Sequence, residues 1–270
     1  MEIIDVWAQH PTRRLIEQPF LSTLARWTRQ DVTTAEFPIE LTESVMAAGG
    51  VNRALLSAWE GPRGSLISND EVASYLAALP DGYRGLAAVD ITNPVAAVRE
   101  IRRCVTELGF IGVRIVPWLW NLPPNDRRFY PIYVACVELG VPLCTQVGHT
   151  GPLCPSEPGR PIPYLDEVLL DFPDLVVIGG HVGYPWINEV LSLAHKYPNF
   201  YLDTSAYAVH RLPTDFVEYL RGKGRTRVMF GTNWPMMTPQ QSLARLDELD
   251  LDEEATELFL GGNAIRVFDL

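Results

Sequence analysis

The chain has 270 residues, is 47% hydrophobic and carries a formal net charge of −11, with a pI near 4.9. That acidity argues against nucleic acid or an anionic membrane surface as partner, and leaves a small-molecule substrate whose charge local arginines would meet. No apolar run approaches the roughly 18 residues a spanning helix needs.

Four cysteines, Cys104, Cys136, Cys144 and Cys154, show no CxxC spacing and read as reduced thiols of a cytoplasmic protein. Met1 leads directly into a predicted strand, so no signal peptide is expected.

Taken in chain order, short β-branched runs alternate with helical patterns. Strands are predicted over Ile3–Trp7, Asn52–Ala58, Gly85–Asp90, Gly112–Val116, Pro142–Gln146, Leu175–Gly179, Phe200–Asp203 and Arg227–Phe230. Helices are predicted over Glu40–Ala48, Asp70–Leu79, Pro94–Leu108, Phe129–Leu139, Tyr164–Asp171, Trp186–His195, Thr214–Arg221 and Pro239–Leu246. In Pro94–Leu108 the residues Val95, Val98, Ile101, Val105 and Leu108 recur at helical spacing. Such alternation implies a parallel sheet, and so many units imply closure into a single-domain (β/α)8 barrel over residues 1–270. An open doubly wound sheet is the alternative, but no Gly-rich phosphate loop follows any strand.

Pro11–Pro38 is too long for an ordinary strand-to-helix connection. It carries Phe20, Leu24 and Trp27 and starts at the end of a strand where barrel active sites lie, so it reads as a lid. The acidic stretch Asp247–Glu254 reads as a solvated helix surface.

The C-terminal strand ends present Trp7, Gln9 and His10, then Arg114, Gln146 and His149, His181, Asp203 and Ser205, and last Asn233 and Trp234. Arg114 stands in an otherwise apolar strand, where an unpaired guanidinium is costly. Either Asp90 or Asp203 neutralises it, or it binds a substrate carboxylate. His181 is a core histidine or a general acid/base. His149 binds substrate or caps its loop. Trp7, Trp118, Trp120, Trp186 and Trp234 make five of the seven tryptophans at one rim, joined by Tyr184; they suggest a flat conjugated ligand. Cys144 reads as a small core residue, and Ser205 lacks a nucleophile elbow.

The stretches IGVRIVPW, VPLCTQVGHTGP, VVIGGHVGYPW, YLDTSAY, VMFGTNWP and FLGGNAIRVF, in that order, resemble the amidohydrolase-related family. This barrel group includes aminocarboxymuconate semialdehyde decarboxylase and pyrone-dicarboxylate lactonase. The resemblance implies a (β/α)8 barrel acting on small, often aromatic or muconate-like acids. It also implies a metal held by His-x-His on the first strand, a histidine on the fifth, a histidine on the sixth and an aspartate on the last. Here those positions are Trp7 and Gln9, Gln146, His181 and Asn233.

Carboxamides are weak ligands for transition metals, so the site is expected to be metal-independent with no cofactor. A relocated zinc-type ion on His10, His149, His181 and Asp203 is the alternative. The leading expectation is a hydrolase of a lactone or similar planar acid. In it His181 moves the proton and Gln9, Gln146 and Asn233 donate to a developing oxyanion. Arg114 holds a carboxylate, with Trp7, His149, Trp118, Tyr184 and Trp234 around the substrate. The alternatives are a decarboxylase of an aromatic or enoic acid, and a non-catalytic binding barrel. A homo-oligomer is compatible with all three.

Overall fold

The structure is a computed structural model that describes residues 2–28 and 37–270. Among the described residues ten strands are formed: β1 (Ile4–Ala8), β2 (Arg53–Ser57), β3 (Trp59–Gly61), β4 (Gly64–Ile67), β5 (Arg84–Ala87), β6 (Gly112–Ile115), β7 (Leu143–Gln146), β8 (Val177–Gly180), β9 (Phe200–Asp203) and β10 (Val228–Met229). Eight of them form one sheet in the order β1-β2-β5-β6-β7-β8-β9-β10, each pair parallel. The sheet closes on itself. Val6 N donates to Phe230 O (3.1 Å), Asn233 N to Trp7 O (2.7 Å), and Ala8 bridges Trp234 in parallel. This is a (β/α)8 barrel in a single domain, as the alternation of patterns predicts.

Strand alternation divides the core in two. Leu55, Leu86, Cys144, Ile178 and Met229 cluster inside the barrel with Phe268 of the last helix, Asn263–Phe268. The residues between them, such as Leu56, Val113, Leu143, Val177 and Leu202, join a larger cluster with the surrounding helices.

Helix Pro94–Thr106 begins where Asn93 accepts from Ala96 N and Pro94 occupies the first turn. Its buried face is Ala97, Ile101 and Cys104; Val95, in that first turn, is exposed. Helix Asn69–Ala78 starts from a reciprocal Ser68–Glu71 capping box.

Three features depart from the sequence reading. The antiparallel hairpin β3–β4 is additional, formed where the chain turns at Pro62 and Arg63. The predicted helix Pro239–Leu246 stops at Ser242, where Leu243 leaves helical geometry (φ −90°, ψ 3°), and Arg245 then takes a left-handed backbone. The acidic stretch is a turn, Leu246–Leu249, followed by helix Glu253–Glu257. Asp252 caps that helix and pairs with Arg225 at 2.5 Å.

The predicted lid is described up to Thr28, and residues 29–36 lie outside the described residues. It folds as short helical segments, Arg13–Ile16, Pro19–Leu21 and Ser22–Thr28. It is tied to the loop after β7: Thr23 Oγ1 donates to Gly151 O (2.6 Å) and Leu153 N to Phe20 O (2.7 Å). No helix among the described residues is long and apolar enough to cross a membrane.

Candidate active site

A cavity of about 770 Å³ opens at the C-terminal ends of the barrel strands. Trp7, Gln9, Trp118, Gln146, His149, His181 and Asn233 all line it. Arg114, Tyr184 and Trp234 lie outside its wall. Tyr184 is 52% exposed, with its ring centroid 5.7 Å from that of His149 in a T-shaped contact. Trp234 is buried and donates from Nε1 to Thr42 Oγ1 (2.9 Å).

Trp7 takes the centre of the barrel end. Gly180 on β8 leaves room for it, since a Cβ there would sit 2.5 Å from Trp7 Cζ3. The Arg114 guanidinium lies 4.0 Å from the Trp7 ring centroid and is 1% exposed. Arg114 therefore does not reach the cavity, which corrects its expected place as a direct anchor for substrate. The indole holds the volume through which the guanidinium would have to extend. Burial pushes the Arg114 pKa down to about 10, with Asp203 and Asp5 among the charges acting the other way. It therefore remains the cation of the barrel interior. Asp90, the other partner considered from sequence, is exposed at its loop and instead accepts from Thr92 N.

The carboxamides are largely committed to protein partners. Arg114 Nη1 (3.0 Å) and Trp59 Nε1 (3.3 Å) both donate to Gln9 Oε1. That fixes the amide, whose Nε2 donates to Asn233 Oδ1 (3.2 Å) and to Trp234 O. With two hydrogens on Nε2 and two acceptors, Gln9 has no donor left for an oxyanion. This corrects its expected catalytic role. Gln146 Oε1 accepts from Trp118 Nε1, and its Nε2 uses one hydrogen on His149 O (2.8 Å). Asn233 Nδ2 meets only the Met236 sulfur at 3.5 Å. Gln146 and Asn233 thus each keep a donor.

His181 Nδ1 faces Ser205 Oγ at 2.7 Å and the Ser205 carbonyl at 3.2 Å. Ser205 Oγ in turn donates to Asp203 Oδ1. A carbonyl only accepts, and the serine hydrogen is directed at the carboxylate, so Nδ1 carries the proton. Nε2 then keeps its lone pair. Burial, followed by the Arg114 charge, pushes the His181 pKa down to about 3, so the ring is neutral at ordinary pH. Both His181 (φ 74°) and Asn233 (φ 64°) adopt left-handed backbone conformations, as does the β-branched Val182 (φ 65°). Such conformations in non-glycine residues collect at functional sites.

Two buried carboxylates stand behind this surface. Burial raises Asp5 to about 7 and Asp203 to about 6. Asp5 accepts from Trp7 N, Thr232 N (both 3.0 Å) and Thr232 Oγ1 (2.5 Å). Sequence reasoning passed over Asp5, Trp59 and the link through Ser205. A charged residue in the apolar run Ile3–Trp7 was the available signal for the first; nothing local marks the other two. His10 is structural: Thr42 Oγ1 and Phe37 O hold its two ring nitrogens at 2.8 Å each.

A family model described as amidohydrolase matches residues 20–270. The chain belongs to that amidohydrolase family. It is 26% identical over 255 residues to the γ-resorcylate decarboxylase of Rhodococcus jostii strain RHA1, covering 75% of each chain. It superposes with a TM-score of 0.85 on a TIM-barrel protein of Bordetella bronchiseptica described as uncharacterised, at 27% identity and over 100% and 99% of the two chains. A dihydroxybenzoic acid decarboxylase of Polaromonas sp. JS666, solved with manganese and 2-nitroresorcinol, shares the fold with a TM-score of 0.70 at 20% identity, over 100% and 97% of the chains.

These relationships correct two expectations. The hydrolase reading gives way, because the relatives of known activity among these are decarboxylases. The expectation of no cofactor does not stand either, since solved barrels of this shape carry manganese. The residues this chain sets at the strand ends are nevertheless a poor match to such an ion. Neither Gln9 Oε1 nor Gln146 Oε1 is free of a donor, and the Trp7 ring fills the centre. Among the described residues no group of three His, Cys, Asp or Glu side chains comes together, the relocated set included. No step below is routed through a metal.

Proposed function

We propose that this chain, with residues 1–270 working as one barrel, is a carboxy-lyase that removes carbon dioxide from an aromatic or conjugated enoic acid. The relationship to γ-resorcylate decarboxylase over three quarters of both chains carries the reading. In such a reaction the ring carbon–carboxyl bond breaks and carbon dioxide leaves. The electron pair stays on the ring carbon, which takes up one proton.

The cavity's chemistry supports this. Trp7, Trp59 and Trp118 give the inner end flat apolar walls that suit a conjugated ring and keep water from it. The lone pair on His181 Nε2 accepts a hydrogen bond from a ring hydroxyl, the ring itself staying neutral, and this raises electron density at the neighbouring carbon where the new C–H bond forms. Gln146 and Asn233 offer their remaining N–H groups to substrate oxygens. His149, half-buried in the same wall, is the group this reading assigns to the carboxylate.

The test is incubation with dihydroxybenzoates and carboxymuconate-type acids, with and without added manganese, following carbon dioxide release. Release with deuterium from heavy water incorporated at the vacated carbon supports the reading. Binding of several acids with no release from any would replace it with the non-catalytic barrel.

A further inference from the structure

The cavity is much larger than a one-ring acid requires. A dihydroxybenzoate occupies on the order of 200 Å³ at protein packing density, against about 770 Å³ here. The space is also chemically divided. Gln146, His149, His181 and Asn233 give the strand ends their polar groups. The outer part, though it also carries His210 and Gln241, is lined mainly by apolar side chains of the lid and of the loops after β9 and β10, chiefly Leu21, Leu24, Trp27, Ala208, Met236 and Met237. Methionines are flexible and polarizable, and adapt to unbranched chains. Among the described residues the one formally charged side chain in the wall is Arg211, which is exposed.

The lid is seated where this arm begins. A Cβ on Gly151 would stand 3.0 Å from Leu24 Cδ2 and 3.2 Å from Trp27 Cζ3, so the bare glycine lets both side chains press against the loop after β7. Trp27 is nonetheless 53% exposed, and Leu153 in that same loop is 65% exposed. Apolar surface thus continues from the cavity to its mouth, where single-ring substrates leave it uncovered.

We infer that the substrate is an amphipathic acid: a hydroxylated ring or enoic head held at the strand ends, carrying a long apolar arm that lies between the lid and the loops after β9 and β10. The identity of the head rests on the decarboxylase reading; the arm rests on the cavity alone.

The experiment uses 2,4-dihydroxybenzoates whose ring carries a methyl, propyl, pentyl or heptyl chain. Binding to the purified protein is measured by calorimetry, and carbon dioxide release is measured for each compound. Affinity is expected to rise roughly fourfold per added methylene until the arm is filled. Met237→Ser and, separately, Trp27→Ser are expected to remove most of that gain while the methyl compound loses little affinity. Unchanged far-ultraviolet circular dichroism shows that the variants fold.

Affinity that is flat or falls with chain length, or a gain that survives both substitutions, overturns the inference. A gain with no carbon dioxide from any compound leaves the arm standing and removes the decarboxylase. Release from the methyl compound without a gain does the reverse.

Discussion

His181 and Ser205 are joined by a 2.7 Å hydrogen bond that fixes the tautomer of the histidine and leaves its Nε2 lone pair for the cavity. If that lone pair handles the substrate proton, His181→Asn, which retains a polar side chain but no titrating ring, lowers turnover by roughly 10²–10⁴-fold with little change in substrate affinity. Near-full turnover in this variant would assign the proton to another group.

Ser205→Ala probes the same bond from the other side. The serine touches no substrate and acts by positioning His181. Its loss is expected to lower kcat by about tenfold with KM held, because the ring is then oriented by the Ser205 carbonyl alone, at 3.2 Å. Ser205→Thr keeps the hydroxyl and should restore much of kcat. Equal loss in both variants, with lowered thermal stability, points to packing alone.

Gly180→Ala tests the seat of Trp7. The added Cβ meets the indole at 2.5 Å, and the Arg114 guanidinium lies over the same ring, 4.0 Å from its centroid. Overpacking of this kind costs about 1–3 kcal/mol. In a Trp7→Leu background the same substitution should cost much less, a coupling measurable by urea unfolding of the four proteins. Additive effects would mean that Trp7 shifts freely.

Arg114→Met removes the buried cation that donates to Gln9 and acts at a distance on Asp203 and Asp5. Stability is expected to fall by roughly 1–3 kcal/mol, as when a hydrogen bond to a charged group is lost. Affinity for a one-ring acid should change by less than about tenfold, since the guanidinium is not in the cavity wall. A folded variant that loses most of its affinity would restore Arg114 as the carboxylate anchor.

Asp5 gives the protein a pH signature. Its folded pKa, about 7, lies above the ordinary 3.8, so its favourable contribution is complete below 3.8 and is lost as pH rises through about 7. Asp5→Asn keeps an oxygen for the N–H groups of Trp7 and Thr232 and cannot ionise. The variant should therefore gain stability relative to the wild type, by up to a few kcal/mol, as pH rises across that window. Thermal unfolding of both proteins across the window measures it, and a constant difference would place the titration elsewhere.

The amino-acid order by itself determined the alternation of strands and helices, the closure into a barrel and the set of residues at the strand ends. Those follow from local periodicity, because each strand such as β6 or β7 buries its alternate residues wherever its neighbours come from. It also showed that Trp7, Gln9, Gln146 and Asn233 stand where the family resemblance places metal ligands.

What those residues do with their hydrogen bonds was decided only in three dimensions. Gln9 and Asn233 meet across 224 positions of chain, and Arg114 reaches Gln9 across 105. A carboxamide has several donors and acceptors, and which of them remain for a substrate depends on every neighbour that folding brings. From the sequence, Arg114 was open to an aspartate or to a substrate carboxylate, and Gln9 stood as a free donor. In the folded barrel the volume of Trp7 keeps the first out of the cavity, and the count of hydrogens on one amide nitrogen leaves the second with none.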